Sequence, residues 1–304
     1  MKERNVRDWD EKSIGDQRGR RYLITGGTSG LGRATAHVLT SHGAHVTITA
    51  RNLVVAQSIV ASGGASDAVH LDLTDLTSIR RAAGEIRESY DVAILNAGIM
   101  WAPYRLTIDG FESHMGTNHL GHFAFAGLIR PMVSERFVTV SSLYQRYGSF
   151  GDGSAGEIRR RCMGESPYSA QVAYGDSKLA NLLFTEEISR RREKYGWPFI
   201  AVAAHPGWSN TNLFGEVTSH AGVSGRLTGL ASQVFAQSAA RGALPQLCAA
   251  TMPHLRGGEY FGPRGPGQLR GKPRVVSAGA HAQDAQMAMS LWRVSEELTG
   301  ISWE

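Results

Sequence analysis

The sequence predicts a single doubly wound α/β domain, a mainly parallel sheet with helices on both faces. Three observations carry that prediction. From residue 21 onward, short apolar runs alternate with segments of helical periodicity, which implies right-handed crossovers between parallel strands. The runs are nearly continuous in apolar residues, as strands buried on both faces must be. The distinctive polar clusters fall just beyond these runs, on the edge where such sheets bind ligands.

Residues 1–20 are a polar lead-in, and 21–304 form the domain. RYLITGG (21–27) reads as a strand ending in a glycine turn. GLGRATAHVLTSHG (30–43) reads as a helix stopped by its last glycine. AHVTITAR (44–51) and AVHLDL (68–73) are the second and third strands, and Thr74 or Asp75 can cap a helix over 75–90. DVAILNAG (91–98) is a fourth strand, a helix runs through 111–129, and RFVTVSS (136–142) is a fifth strand. A helix over 174–192 leads into the sixth, PFIAVAAHPG (198–207). No linker or internal repeat interrupts the series.

Composition excludes several functions. The net charge of +5 comes from scattered arginines. The short runs Arg159–Arg161 and Arg190–Arg192 read as solvated faces, so nucleic acid is not an expected partner. Cys162 and Cys248 lie far apart, with no metal-ligand spacing, and suit a reducing compartment. The charged N-terminus lacks an apolar leader, and no stretch reaches the roughly 20 apolar residues needed to span a bilayer. The chain therefore reads as cytoplasmic. His119 and His122 are spaced i,i+3 but have no evident third ligand, so they read as helix-packing residues and no metal is expected. His205 reads as structural and Cys162 as an incidental thiol.

The turn Thr25-Gly26-Gly27-Thr28-Ser29-Gly30-Leu31-Gly32 opens a helix directly after the first strand. Glycines let a backbone approach a pyrophosphate, and the helix N-terminus offers free N–H donors, although a tight strand–helix turn also calls for glycine. An acid near the end of the second strand would bind a ribose 2′-hydroxyl, but the segment reads Thr49-Ala50-Arg51-Asn52. Arg51 is placed to meet a 2′-phosphate, or else it simply faces solvent. NADP(H) is therefore favoured, with NAD(H) as the other possibility.

Among the five lysines, Lys178 alone lies in the long central region, four residues after Tyr174 in AYGDSKLANLLF. That spacing puts both side chains on one helix face. A nearby ammonium favours the phenolate and should lower a tyrosine pKa from near ~10 toward the neutral range. Ser141-Ser142 end the fifth strand, where a hydroxyl can hydrogen-bond a substrate oxygen.

The spacing T-G-x-x-x-G-x-G, with Tyr-x-x-x-Lys, resembles the short-chain dehydrogenase/reductase family over roughly residues 18–262. NHLGHF, AYGDSKLANLLF and HPGWSNTNL are similar to its branch of retinol dehydrogenase-like and protochlorophyllide reductase-like enzymes. The resemblance implies a Rossmann-like fold and a catalytic set of Asn118, Ser142, Tyr174 and Lys178, with Ser142 preferred over Ser141. It assigns Gly26, Thr28, Ser29, Gly30, Leu31 and Gly32 to the cofactor turn, and Asp72 and Leu73 to the adenine. Asn96, Ala97 and Gly98 would line the ribose and steady the central strand. Pro206, Gly207 and Thr211 would hold the nicotinamide carboxamide. Segments 143–173 and 209–225 would shape the substrate pocket, the second as a lid with Gly215, Gly222 and Gly225. Trp101, Trp208, Leu213 and Phe214 either point to an apolar small-molecule substrate or belong to the core, and homodimers or homotetramers are common in the family. Tyr144 stands where many members carry a histidine nearby, so the substrate is not inherited. The expected activity is reversible hydride transfer at a carbonyl. Reduction of a carbon–carbon double bond and a non-catalytic NADP(H) sensor are the rivals.

Overall fold

The computed structural model describes residues 9–208 and 238–304. Its sheet is built from β1 (Arg21–Thr25), β2 (His45–Ala50), β3 (Asp67–His70), β4 (Tyr90–Leu95), β5 (Val133–Val140), β6 (Ile200–Ala204), β7 (Tyr260–Pro263) and β8 (Pro273–Val275). The strand order is β3-β2-β1-β4-β5-β6-β7-β8. All neighbours are parallel except the edge pair β7 and β8, which the sequence reading did not reach. Register pairs Thr25 with Thr49, Leu95 with Thr139, and Val140 with Ala204. The residues that follow these strands therefore share one edge.

Alternation along the strands separates two layers. Tyr22, Ile24, Val46, Ile48, Val92, Ile94 and Val138 face α1 (Gly30–Ser41), α2 (Leu53–Ala61) and, further on, α7 (Ala239–Thr251). Leu23, Ala93, Leu95, Phe137 and Ala201 face the opposite way. There they meet α3 (Leu76–Glu85), α4 (Gly121–Ile129), α6 (Ala170–Tyr195) and α8 (Ala285–Thr299). The short helix α5 (Ala155–Met163) lies within segment 143–173 and packs through Ile158 and Cys162 onto Leu179 and Leu291.

Two elements differ from the expected pattern in ways that matter for the site. The helix expected over 111–129 contains a π-helical turn, Met115–Leu120, ahead of α4. Such turns widen the backbone hydrogen-bond ring and recur at functional sites. Helix α6 is longer than expected, and every residue from Tyr174 to Thr185 is buried. The Tyr174–Lys178 pair thus sits on a helix with no solvent face at that point. Among the described residues, no helix is long and apolar enough to cross a membrane. The two arginine runs are ion-paired: Arg160 and Arg161 with Glu157, Arg159 with Glu297, and Arg190 and Arg191 with Glu187.

Candidate active site

The cofactor edge is made largely of backbone. Gly26 leaves β1 with φ at +69° and, with Gly27, donates to the Thr49 carbonyl at 3.0 and 3.2 Å. Ser29 is the extended N-cap of α1, and its side chain makes no cap hydrogen bond. The first turn of the helix closes from Arg33 N to Ser29 O, so the N–H groups of residues 30–32 point forward without a helical partner. A Cβ at Gly32 would stand 2.3 Å from the Gly26 carbonyl oxygen and 2.5 Å from Asn96 Nδ2. Bare donors beside backbone that tolerates no side chain fit the diphosphate of a dinucleotide.

Asn96 holds this turn from β4. Its Nδ2 donates to the Thr25 carbonyl at 2.8 Å, while Asn96 N and Ala97 N both donate to Thr25 Oγ1. From α7, Gln246 donates to Asn96 Oδ1 and to Thr35 Oγ1. Gln246 gave no signal in the sequence, because its partners are more than a hundred residues away. Arg51 ends β2 exposed, with no ion pair to a described residue. Asp72 Oδ1 accepts from Thr74 N and Oγ1, Leu73 packs its side chain into the core, and Asp75 caps α3. Past β6, Gly207 N donates to His205 Nδ1, and His205 Nε2 bonds Gln268, fixing the Pro206–Gly207 turn. His205 is structural, as expected. Thr211 and segment 209–225 lie outside the described residues.

At the chemical edge, Ser142, Tyr174, Lys178 and Asn118 converge from β5, α6 and the π-helical turn. Ser142 Oγ faces the Tyr174 phenol and accepts from Tyr144 N at 3.3 Å. The neighbouring Ser141 faces away, and its Oγ donates to the Lys178 carbonyl at 2.8 Å. Lys178 Nζ donates to the Val140 carbonyl at 3.0 Å and stands 5.7 Å from the centre of the Tyr174 ring. Asn118 Oδ1 accepts from Ile99 N, and its Nδ2 donates to Ile99 O and Ser177 Oγ. Its side chain therefore clamps the exit of β4 to α6. Gly98 makes room for this: a Cβ there would lie 2.9 Å from Asn118 Oδ1 and 3.4 Å from Lys178 Nζ.

The electrostatics depart from the sequence expectation. Burial pushes Tyr174 up to about 12, against a downward pull from the Ser142 hydroxyl. Burial also lowers Lys178 to about 8. Desolvation penalises both charged forms, and Lys178 directs its ammonium at a carbonyl rather than at the phenol. The downward shift expected for Tyr174 from the lysine alone is thus absent in this arrangement.

Three further residues complete the edge. Thr25 Oγ1 accepts two backbone N–H groups, so its own proton goes to His122 Nε2 at 2.8 Å. That fixes the tautomer in which His122 Nδ1–H donates to the Asn118 carbonyl at 3.0 Å. Burial holds His122 down to about 4, and it links the glycine turn to Asn118 rather than merely packing. His119, bonded to Ser295, is the packing histidine of the two. Asp176, two residues after Tyr174, accepts from Ser149 N and from Arg161, tying segment 143–173 to α6. Asp176 carries no local signal in the sequence, because its partners Ser149 and Arg161 are set by tertiary packing. Tyr260 of β7 backs the serines, its hydroxyl donating to the Ser142 carbonyl at 3.5 Å.

A doubly wound sheet with a bare phosphate turn beside a Ser–Tyr–Lys–Asn cluster defines an oxidoreductase of the dinucleotide-binding class. The chain belongs to the short-chain dehydrogenase family, within its retinol dehydrogenase-like branch. The short-chain dehydrogenase model matches residues 20–153. Mouse retinol dehydrogenase 14 is 35% identical, covering 98% of this chain and 91% of the relative. A crystal structure of a putative uncharacterized protein from Mycobacterium paratuberculosis is similar at 38% identity and a TM-score of 0.82, covering 97% of this chain and 99% of that one. The Pseudomonas aeruginosa RhlG/NADP complex shares the fold, with a TM-score of 0.60 and 21% identity over 81% of this chain and 94% of that one.

Proposed function

We propose that this chain is an NADP(H)-dependent carbonyl reductase or alcohol dehydrogenase for an apolar small molecule. The observation that carries the reading is that half-buried Ser142 and buried Lys178 flank buried Tyr174 at the sheet edge, with buried Asn118 bonded to Ser177 of the same helix. The bound nicotinamide would supply or accept the hydride. Ser142 would donate a hydrogen bond to the substrate oxygen, and Tyr174, protonated at neutral pH, would give that oxygen its proton. The proton would then be recovered through Lys178 and the Asn118 backbone. Gly26, Thr28–Gly32, Asp72, Leu73, Asn96–Gly98 and Pro206 would hold the cofactor, with Arg51 on its 2′-phosphate. An NADP complex among the similar folds supports that choice. Relatives named retinol dehydrogenases support an apolar alcohol or aldehyde, as do the aromatic rings of Trp101, Tyr144 and Tyr147 near Tyr174. The reading includes a cytoplasmic homodimer or homotetramer, which sedimentation of the purified protein tests.

The decisive experiment is a panel of aldehydes, ketones and alcohols followed by NADPH and NADH absorbance, with wild type and Tyr174→Phe. Loss of the proton donor should lower kcat by about 10²–10⁴-fold. Equal rates for the two proteins would overturn the mechanism. An enone returned as the saturated ketone would overturn the carbonyl assignment.

A further inference from the structure

Trp101 has a left-handed backbone, with φ at +52°. That region suits glycine, and a bulky residue occupies it only where its surroundings enforce it. Ala102 shows what enforces it. Its N–H donates to His114 Nε2 at 3.2 Å, and its carbonyl accepts from the Tyr168 hydroxyl. Because His114 Nε2 is an acceptor, its Nδ1–H donates to Glu112 Oε1 at 2.9 Å. Glu112 is itself fully engaged, taking Ser113 Oγ on one oxygen and Met115 N on the other. His114 and Glu112 are buried, so this chain of bonds sits in low dielectric, where a satisfied network is rigid. Glu112 N also donates to the Cys162 carbonyl of α5, which joins the network to segment 143–173.

The locked residue reaches the reaction centre through rings. The Trp101 indole meets Tyr144 edge-on at 5.4 Å, and Tyr144 lies 5.7 Å from Tyr174. The His114 ring packs edge-on against Tyr174 at 6.2 Å. Trp101 is half-buried beside this cluster. We propose that Trp101 is a specificity-determining residue, an aromatic wall limiting the width of the substrate group next to the reacting carbonyl. His114, with Glu112 and Tyr168, is the positioning residue that keeps the wall in its left-handed setting. This rests on the carbonyl reading of the same site, and adds to it the width of the group that is accepted.

The test compares benzaldehyde, a narrow probe, with 2-naphthaldehyde, a wide one. It uses wild type, Trp101→Ala, Trp101→Gly, His114→Leu and the Trp101→Gly/His114→Leu double variant. The readouts are kcat/KM for each aldehyde, equilibrium binding of benzyl alcohol and 2-naphthalenemethanol, and the Kd of the cofactor. Trp101→Ala should raise the wide-to-narrow ratio at least tenfold. His114→Leu should move the ratio in the same direction, with cofactor Kd unchanged. In the Trp101→Gly background, His114→Leu should not move the wide-to-narrow ratio further, because no indole is left to hold. A merely structural histidine would weaken cofactor and both aldehydes alike and would do so in either background. Turnover with an unmoved ratio in Trp101→Ala would overturn the wall, and a moved ratio there with none in His114→Leu would overturn the lock. If wild type reduces neither aldehyde but the alcohol-binding ratio shifts as stated, the carbonyl reading fails and the wall stands. If neither probe is reduced nor bound, both fail.

Discussion

The two halves of the site are built from different materials. The cofactor edge is backbone: glycine φ angles, free N–H groups and carbonyls packed against glycine Cα atoms, braced by Asn96 and Gln246 behind them. The substrate edge is side chains, with Ser142, Tyr174 and Lys178 backed by Tyr260, Asp176 and the rings around Trp101. A backbone site recognises what every dinucleotide shares, so it tolerates little change. A side-chain site can be rebuilt residue by residue, and it is where members of one family can diverge in substrate.

The sharpest break between the two edges lies between two adjacent residues. On the proposed mechanism Ser142→Ala removes the donor to the reacting oxygen, and it should lower kcat by about 10²–10³-fold with cofactor Kd unchanged. Ser141→Ala loses a buried bond to the Lys178 carbonyl, so it should cost about 1 kcal/mol of stability and leave kcat nearly intact. Comparable kcat losses in both variants, measured under cofactor saturation, would dissolve the distinction between them.

Lys178 tests the same boundary through stability. Its pKa falls from 10.5 to about 8 on folding, because burial penalises the ammonium. The unfolded chain then binds the extra proton between those values, so the penalty is full below pH 8 and is relieved as pH rises toward 10.5. At pH 7 it amounts to about 3 kcal/mol. Lys178→Met should therefore abolish turnover and yet raise the melting temperature at pH 7, with the gain shrinking by pH 10. The Val140 carbonyl would keep its bond from Asn181 Nδ2, so no acceptor is orphaned. A lower melting temperature at pH 7 would mean that the lysine is held for stability rather than for chemistry.

The split also explains what the sequence could and could not say. The strand–helix alternation, the glycine turn and the Tyr174–Lys178 face follow from local spacing, because glycine freedom and helical period act over a few residues. The choice between Ser141 and Ser142 was open locally, and here the structure turns Ser141 to the Lys178 carbonyl and Ser142 to Tyr174. The π-helical turn at Asn118, the His122 link to Thr25 and the Gln246 brace each depend on a partner far away in the chain. Nothing in the spacing of NHLGHF distinguishes the packing histidine from the linking one. The expected lowering of Tyr174 failed for a related reason: proximity to Lys178 was legible, but the burial of both groups was not.

Within the cofactor edge, Gly32→Ala would press a methyl onto the Gly26 carbonyl and Asn96 Nδ2. Overpacking of about 1–3 kcal/mol would displace the first turn of α1 and raise cofactor Kd by ~5–150-fold. Calorimetric titration measures this directly, and unchanged affinity would remove the turn from the cofactor site.

The smallest effect belongs to Arg51, the one side chain offered there as a source of selectivity. It is exposed and free of ion pairs to described residues, so its contact with a 2′-phosphate would be screened by solvent and salt. Arg51→Gln should raise the KM for NADPH by about tenfold, near 1.4 kcal/mol, and leave that for NADH unchanged. The NADPH difference between wild type and variant should narrow as salt is raised, because only the charged contact is screened. If both cofactors weaken equally, Arg51 supports the turn rather than reading the phosphate, and the cofactor edge would be backbone in its selectivity as well as in its binding.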